Sequence, residues 1–215
     1  MVYKPEIAKE LAQKLLQIKA LKVNVKEPFT WASGLKSPIY CDNRITLSYP
    51  ALRKQIRFWL CDLIHDHFPD VEQIAAVATG GIAHGMAVAD QLDMPFLYVR
   101  PAAKGHGLGK QIEGRVSASP TVVIEDLVST GGSSLSAVRA LRESGAVVLG
   151  LAALFSYELP QAEESFTKDG CALITLSSFF ALRIALQQAR TLSEEELLTL
   201  DEWKKDPVAW APVRA

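Results

Sequence analysis

The chain has 215 residues, of which 49% are hydrophobic, and its formal net charge at pH 7 is −1. Its lysines and arginines do not cluster into a basic tract, which argues against nucleic acid as the main partner. The three cysteines, Cys41, Cys61 and Cys171, are far apart and odd in number, so neither a disulfide framework nor a zinc site is indicated. The amphipathic N-terminus lacks an apolar signal core and no apolar run reaches the length of a membrane span. We therefore expect a soluble cytoplasmic protein with no membrane partner.

The N-terminal part of the chain begins with local patterns that are easy to interpret. Apolar residues repeat every three to four positions over 5–20, which predicts a helix, and alternate with polar residues over 21–25, which predicts a short strand. Further on, Ser48 is expected to cap a second helix that has Pro50 in its first turn and runs to about His67.

Residues 27–47 are rich in aromatic side chains, and their prolines and glycine exclude a continuous helix. A two-stranded hairpin that turns near residues 34–36 fits this stretch. Its aromatic residues could simply cover the core, and the spacing alone favours this interpretation. They could also form a small hood whose Tyr40, Lys36 and Arg44 face a planar anionic ligand.

Strands and helices alternate through the rest of the chain. This alternation predicts an α/β fold, a Rossmann-like parallel sheet flanked by helices, with the small N-terminal hood attached. The predicted strands are 73–78, 95–100, 121–124, 147–155 and 171–176. Helices are predicted after the first of these strands to about residue 92, and then over 135–144, 160–168, 178–190 and from 193 onward. Ser177 and Ser178 are expected to cap the helix that ends near Arg190, and residues 193–196 to open the last helix with a capping box.

We divide the chain into an N-terminal helix and hood (1–47), a core (48–190) and a C-terminal helix and tail (191–215), which together make one compact domain. Within the core, residues 101–116 contain four glycines and almost nothing apolar. This segment is either a disordered linker or a basic lid that closes over an anion, and long loops in compact α/β units are uncommon unless functional. Its basic residues are Lys104, His106, Lys110 and Arg115.

The most informative stretch is 121–134, in which an apolar run ends in Glu125 and Asp126 and a turn rich in glycine and hydroxyls follows. Glycines let backbone N–H groups converge on an anion at a helix N-terminus. Serine and threonine hydroxyls add donors and are expected to cap the helix. The carboxylates suit sugar hydroxyls, a metal ion or a developing cation, so the stretch is typical of a sugar phosphate site. A Walker motif is excluded because its lysine is absent, and the acid pair argues against a plain surface turn.

A second glycine-rich turn, residues 79–85, follows the predicted strand 73–78. It could serve packing alone. It could also offer backbone amides to a second phosphate group, as a pyrophosphate would require.

The stretch 121–134 resembles the phosphoribosyl pyrophosphate (PRPP) motif of the type I phosphoribosyltransferases, in which two acids follow a hydrophobic strand and precede a small turn. The hood stretch PFTWASGLKSPIYCDNR and the lid residues YVR, KGHG and QIEGRV resemble those of orotate phosphoribosyltransferases. This likeness covers nearly the whole chain and implies transfer of the 5-phosphoribosyl group from PRPP to orotate, a step of pyrimidine (UMP) biosynthesis. It also implies Mg²⁺ held mainly by PRPP, and a homodimer whose lid reaches the partner's active site.

The resemblance carries roles for individual residues. Lys104 and His106 are expected to stabilise pyrophosphate in the closed state, and Asp126 to hold the ribose and favour a positive ring; these three are the predicted catalytic residues. Ser129 and Tyr40 match positions near orotate. The predicted PRPP-binding residues are Arg100, Lys104, His106, Glu125, Asp126, Leu127, Val128, Ser129, Thr130, Gly131, Gly132 and Ser133.

Three positions depart from the pattern of some orotate enzymes. Pro101 and Ala32 replace lysines, and residues 155–157 lack an arginine that binds the base. The partner of the orotate carboxylate therefore stays open, with Lys36 and Arg44 as candidates.

Two other functions compete with this interpretation. A purine or uracil phosphoribosyltransferase would share the PRPP motif, but the hood stretch argues against it. A regulator that senses PRPP without turnover is expected to lose lid residues or gain a basic extension, and this chain does neither.

Overall fold

The computed structural model describes residues 1–31, 34–101 and 111–210. The helices are α1 (Pro5–Gln17), α2 (Pro50–His67), α3 (Gly80–Leu92), α4 (Gly132–Glu143), α5 (Pro160–Asp169), α6 (Phe179–Ala189) and α7 (Glu194–Lys205). The strands are β1 (Leu21–Val23), β2 (Phe29–Thr30), β3 (Lys36–Ser37), β4 (Ile39–Cys41), β5 (Gln73–Val77), β6 (Phe96–Val99), β7 (Ile112–Glu113), β8 (Pro120–Val128), β9 (Val147–Ser156) and β10 (Ala172–Ser178). A 3-10 helix, Asn43–Ser48, connects β4 to α2.

The main sheet has the strand order β10-β9-β8-β5-β6-β7. All neighbouring strands are parallel except the short β7, which runs antiparallel to β6. The chain proceeds from β5 to β6 in one direction, then returns so that β8 pairs with the other side of β5. Open α/β sheets bind ligands at such a reversal, outside the carboxyl ends of the strands. The predicted parallel sheet is thus confirmed, and its order places the reversal between β5 and β8.

The core lies on both faces of this sheet, because alternate strand residues face opposite sides. One cluster contains Ile74 and Val122 and packs against α1, α2, α6 and α7. The other contains Ala75 and Val123 and packs against α4 and α5. Near-continuous apolar strands are typical of parallel sheets covered on both faces.

The hood is a separate small layer of strands. Strand β1 pairs with β4, and β2 pairs with β3, both antiparallel, which confirms the predicted hairpin. The indole of Trp203, on α7, is fully buried and donates to the Lys36 carbonyl at 3.2 Å. Trp31 donates to the Ile39 carbonyl at 3.1 Å. Helix α7 therefore packs against the hood and stabilises it.

The predicted capping of helices has a mixed outcome. Ser193 and Glu196 form the reciprocal capping box at the start of α7, and Ser178 caps α6. The expectation that Ser48 caps α2 is wrong, because Ser48 closes the 3-10 helix and Tyr49 occupies the N-cap without a side-chain bond. Among the helices of the described ranges, none is long and apolar enough to span a bilayer. The division into three segments stays a prediction.

Candidate functional site

A cavity of about 350 Å³ opens at the carboxyl ends of β5 and β8. It lies at the reversal of the sheet and beneath the hood. A larger cavity, about 580 Å³, lies between β7 and α4, but the acid pair and the glycine turns do not line it. The smaller cavity is therefore the candidate site. Its lining residues are Cys41, Asp42, Arg44, Val77, Ala78, Thr79, Gly80, Glu125, Asp126, Leu127 and Ser133.

The acid pair has one buried member and one that is half-buried. Glu125 is 4% exposed; its carboxylate accepts the Ser134 hydroxyl at 2.9 Å and the Asp126 N–H at 3.1 Å. Burial, and then the charge of Asp126, raise the pKa of Glu125 well above its usual range. Burial also raises the pKa of Asp126. A cation or a set of hydroxyl donors in the cavity would stabilise the ionised forms of both.

The turn after β8 opens directly into helix α4. Gly131 has a φ of 82°, a left-handed conformation that favours glycine, and it forms the N-cap without a side-chain bond. The predicted hydroxyl cap is therefore wrong, because Gly131 starts the helix and the Ser134 hydroxyl is bonded to Glu125. The first N–H groups of α4 still face the turn, as an anion site requires. Exposed Ser133 lines the cavity.

The turn after β5 packs tightly against the end of β8. A Cβ on Gly80 would overlap the Asp126 carboxyl group, and one on Gly81 would lie 2.5 Å from the Ile124 carbonyl oxygen. The Ala78–Thr79 peptide bond is cis. Because α3 begins at Gly80, its N-terminus faces the same cavity as that of α4. The sequence left packing and anion binding as alternatives for this turn. Its geometry allows it to serve both.

Arg44 brings the hood into the cavity. Its guanidinium makes two bonds to the Asp42 carboxylate, at 2.7 and 2.8 Å, and these bonds lower the pKa of Asp42. The Arg44 side chain is 59% exposed, so it can also face a ligand.

The other two predicted orotate residues of the hood lie outside this lining. The Tyr40 ring packs against Phe29 with centroids 5.7 Å apart. The Lys36 ammonium group donates to the Thr30 hydroxyl at 2.7 Å. The structure thus brings Arg44, and not these two, next to the acid pair.

The remaining predicted PRPP residues lie in four different settings. Leu127 lines the cavity and Val128 is fully buried, so only the backbone of Val128 can reach a ligand. Ser129 and Thr130 are half-buried in the turn. Arg100 follows β6 and pairs with Glu113 on β7, with the Arg100 Nε 3.2 Å from the carboxylate. Lys104 and His106 lie outside the described residues.

Sequence reasoning missed Asn43 and His84. The Asn43 side-chain amide donates to the Asp126 carbonyl at 2.5 Å, and His84, on α3, contacts the Thr46 hydroxyl at 3.3 Å. The available signal was the polar run 42–44 directly after the apolar residues of the hood, of which only Arg44 was given a role.

Carboxylate oxygens line the cavity, and they are of the donor type that binds Mg²⁺. Among the residues that the structure describes, no three His, Cys, Asp or Glu side chains are grouped to hold a metal. Mg²⁺ often binds through one or two carboxylates together with substrate phosphates. Asp126 and Glu125 offer such a donor set at the cavity wall.

The chain is similar to known proteins over nearly its whole length. The family model for the phosphoribosyl transferase domain matches residues 47–185. The orotate phosphoribosyltransferase of Enterococcus faecalis is 52% identical over 206 residues, which are 95% of this chain and 98% of the relative. That of Streptococcus sanguinis is 50% identical over 205 residues, 95% of this chain and 98% of the relative. The crystal structure of the Aeropyrum pernix orotate phosphoribosyltransferase superposes with a TM-score of 0.73 at 27% identity, covering 85% of this chain and 99% of that one. The chain therefore belongs to the orotate phosphoribosyltransferases, within the phosphoribosyl transferase domain family.

Proposed function

We propose that the chain transfers the 5-phosphoribosyl group of PRPP to orotate, which gives orotidine 5′-phosphate and pyrophosphate for pyrimidine synthesis. The observation that carries this proposal is the position of Asp126 between two helix N-termini in one cavity. A ligand with phosphate at both ends and hydroxyls between them matches that arrangement.

The two ends of PRPP are assigned to the two turns. Residues 127–133, from the end of β8 to the start of α4, take the 5′-phosphate through backbone N–H groups and hydroxyls. The turn at Thr79 and Gly80, at the start of α3, takes part of the pyrophosphate. The acid pair then lies opposite the ribose, where carboxylates accept hydroxyl hydrogen bonds.

The same placement supports the chemistry. Pyrophosphate leaves C1 as its C–O bond breaks, and a ring nitrogen of orotate, which releases its hydrogen as a proton, bonds to C1. The ribose ring becomes positive on the way, and the Asp126 carboxylate is already placed to stabilise it. Lys104 and His106 are proposed to hold the leaving pyrophosphate, with Arg100. Asp126 and Glu125 would hold a Mg²⁺ ion together with PRPP, and the ion would supply positive charge against the pyrophosphate.

Arg44 is the favoured partner for the orotate carboxylate. It lines the cavity and its guanidinium keeps a free edge, because Asp42 occupies only Nε and Nη2. Arginine pairs well with carboxylates in this way. Lys36 stays the second candidate, and Ser129 and Tyr40 are proposed to flank the base.

The experiment follows the loss of orotate absorbance with PRPP and Mg²⁺, for the wild type, Lys104→Ala and a control, Lys168→Ala, on the exposed surface of α5. We expect turnover in the wild type and the control and a large loss in Lys104→Ala. Turnover with uracil or a purine instead of orotate would contradict the substrate. PRPP binding without turnover of any base would favour a regulator.

We also propose a cytoplasmic homodimer in which the lid of one subunit serves the site of the other. Mixing Lys104→Ala with Asp126→Asn subunits tests this arrangement. If the lid is shared, a mixed dimer contains one site with both residues intact, so activity rises above that of either variant. If each lid serves its own subunit, mixing restores nothing.

A further inference from the structure

A series of buried polar contacts joins helix α3 to Asp126 through the 3-10 helix that follows β4. The His84 Nε2 lies 3.3 Å from the Thr46 hydroxyl, and that hydroxyl donates to the Asn43 carbonyl at 2.5 Å. The Asn43 amide then donates to the Asp126 carbonyl at 2.5 Å. Because the single hydroxyl hydrogen of Thr46 is used on Asn43, the Nε2 of His84 must be the donor in the first contact.

All three linking residues are buried. Asn43 and Thr46 are 0% exposed and His84 is 2% exposed. The Asn43 side-chain oxygen accepts the Cys41 thiol at 3.3 Å, which orients the amide toward Asp126. Removing one partner from a buried network leaves the others unsatisfied and moves them.

The Asp126 backbone needs this support because strand pairing on one side has ended. The pairing of β8 with β5 stops at Ile124, opposite Ala76. Beyond that point the Asn43 amide bonds the Asp126 carbonyl, and the Glu125 carboxylate holds the Asp126 N–H. The Asp126 side chain lies against Gly80 at the start of α3.

We propose that Asn43 is a positioning residue that holds the Asp126 carboxylate toward the ribose of PRPP, and that Thr46 and His84 fix Asn43 relative to α3. This inference rests on the proposed function, since it concerns how the same cavity binds PRPP. It assigns Asn43 no direct contact with substrate. The network would also link the two phosphate-binding turns, because His84 belongs to the helix of one and Asp126 precedes the other.

A simpler role for these contacts is to cap the 3-10 helix, since the Thr46 hydroxyl bonds a carbonyl three residues earlier. Capping alone would affect stability and leave PRPP affinity unchanged. A double-mutant cycle separates the two roles.

The cycle measures PRPP binding by calorimetry with Mg²⁺ and without orotate, for wild type, Asn43→Ala, Asp126→Asn and the double variant. Loss of the single hydrogen bond is expected to weaken binding about tenfold in Asn43→Ala. If Asn43 acts through the Asp126 carboxylate, the double variant binds no more weakly than Asp126→Asn alone. Losses that multiply in the double variant would overturn the proposal.

Two variants of Thr46 test the same proposal if Asn43→Ala does not fold. Thr46→Ser retains the hydroxyl, whereas Thr46→Val retains the shape without it. We expect Thr46→Val to raise the KM for PRPP several-fold with little change for orotate, and Thr46→Ser to stay near the wild type. Equal PRPP affinity in both variants would overturn the proposal. An inactive wild type that still binds PRPP would reject the proposed function but leave the binding cycle valid.

Discussion

The two glycine turns of the site follow the same local plan, a strand, a turn and a helix, yet they meet different surroundings. At the turn after β5 there is no space for a side chain on Gly81, because the Ile124 carbonyl is 2.5 Å from where its Cβ would be. At the turn after β8, the nearest atom to a Cβ on Gly132 is 4.0 Å away. The first glycine is thus required for packing, and the second leaves open space.

The helices that follow these turns differ in the same way. Helix α3 carries a histidine, His84, that is 2% exposed, next to the hood. Helix α4 begins with exposed residues and uses Ser134 to hold Glu125. Both turns line the same cavity, but they differ in how much space surrounds a glycine: Gly81 leaves no room for a side chain, whereas Gly132 does.

The largest expected effect is a loss of unfolding free energy in acid, and it comes from His84 on α3. Burial, and then the charge of Arg53, lower the pKa of His84 from 6.5 to about 4. The unfolded chain takes up a proton below pH 6.5 and the folded chain does not, so the free energy of unfolding falls as pH drops from 6.5 towards 4. The contribution is roughly 3 kcal/mol. Acid titrations of chemical unfolding should show a shallower fall in His84→Gln than in wild type. Met86→Leu, an exposed change on the same helix that removes no titratable group, should keep the wild-type slope; equal slopes in both variants would contradict the prediction.

Asp126 lies between the two turns, since its side chain contacts Gly80 of the turn after β5 and its backbone precedes the turn after β8. Asp126→Asn should lower kcat/KM for PRPP about 100-fold, because a preorganised charge at the reacting centre is lost. Steady-state kinetics with orotate measure this effect. Asp90→Asn, an exposed change on α3, should have little effect. A loss below about threefold in Asp126→Asn would remove the carboxylate from the mechanism.

The glycines themselves give the most direct test. Gly81→Ala should lower the free energy of unfolding by about 2 kcal/mol, because the added methyl group meets a backbone carbonyl that cannot move aside. Gly132→Ala is its matched control and should change stability by less than about 1 kcal/mol, since the site is open and helical. Denaturant unfolding without PRPP measures both. Equal destabilisation would show that the two turns are packed alike.

The smallest effect is expected for two neighbouring serines of the second turn. Ser134→Ala removes a buried bond to Glu125 and should cost about 1 kcal/mol of unfolding free energy. Ser133→Ala, at an exposed cavity position, should leave stability within about 0.5 kcal/mol of wild type but raise the KM for PRPP. Thermal unfolding and steady-state kinetics separate the two. A stability loss in Ser133→Ala with unchanged KM would reverse their assigned roles.

Local patterns in the sequence were sufficient for the helices, the parallel strands and the position of the acid pair. They did not predict β7, which lies at the end of the segment 101–116 that was expected to be a lid or linker and which pairs with β6. The alternation of strands and helices predicted the parallel sheet, and the Ser193 capping box was readable because its partners are three residues apart. Helix caps that depend on backbone conformation could not be predicted from these patterns. Gly131 replaced the expected hydroxyl cap of α4 since its left-handed φ starts the helix without a side chain.

By itself, the sequence determined that two strand–glycine–helix units exist, that one of them carries Glu125 and Asp126 between its apolar run and its glycines, and that an aromatic-rich hood precedes them. Only the tertiary structure decided that β8 returns beside β5, which brings Gly80 onto Asp126. It also decided that Asn43 bonds a carbonyl 83 residues away. Periodicity and turn chemistry act over a few residues, whereas strand order is set by how whole layers bury their apolar faces. The contacts that complete the site depend on that order, so they are visible only in the folded chain.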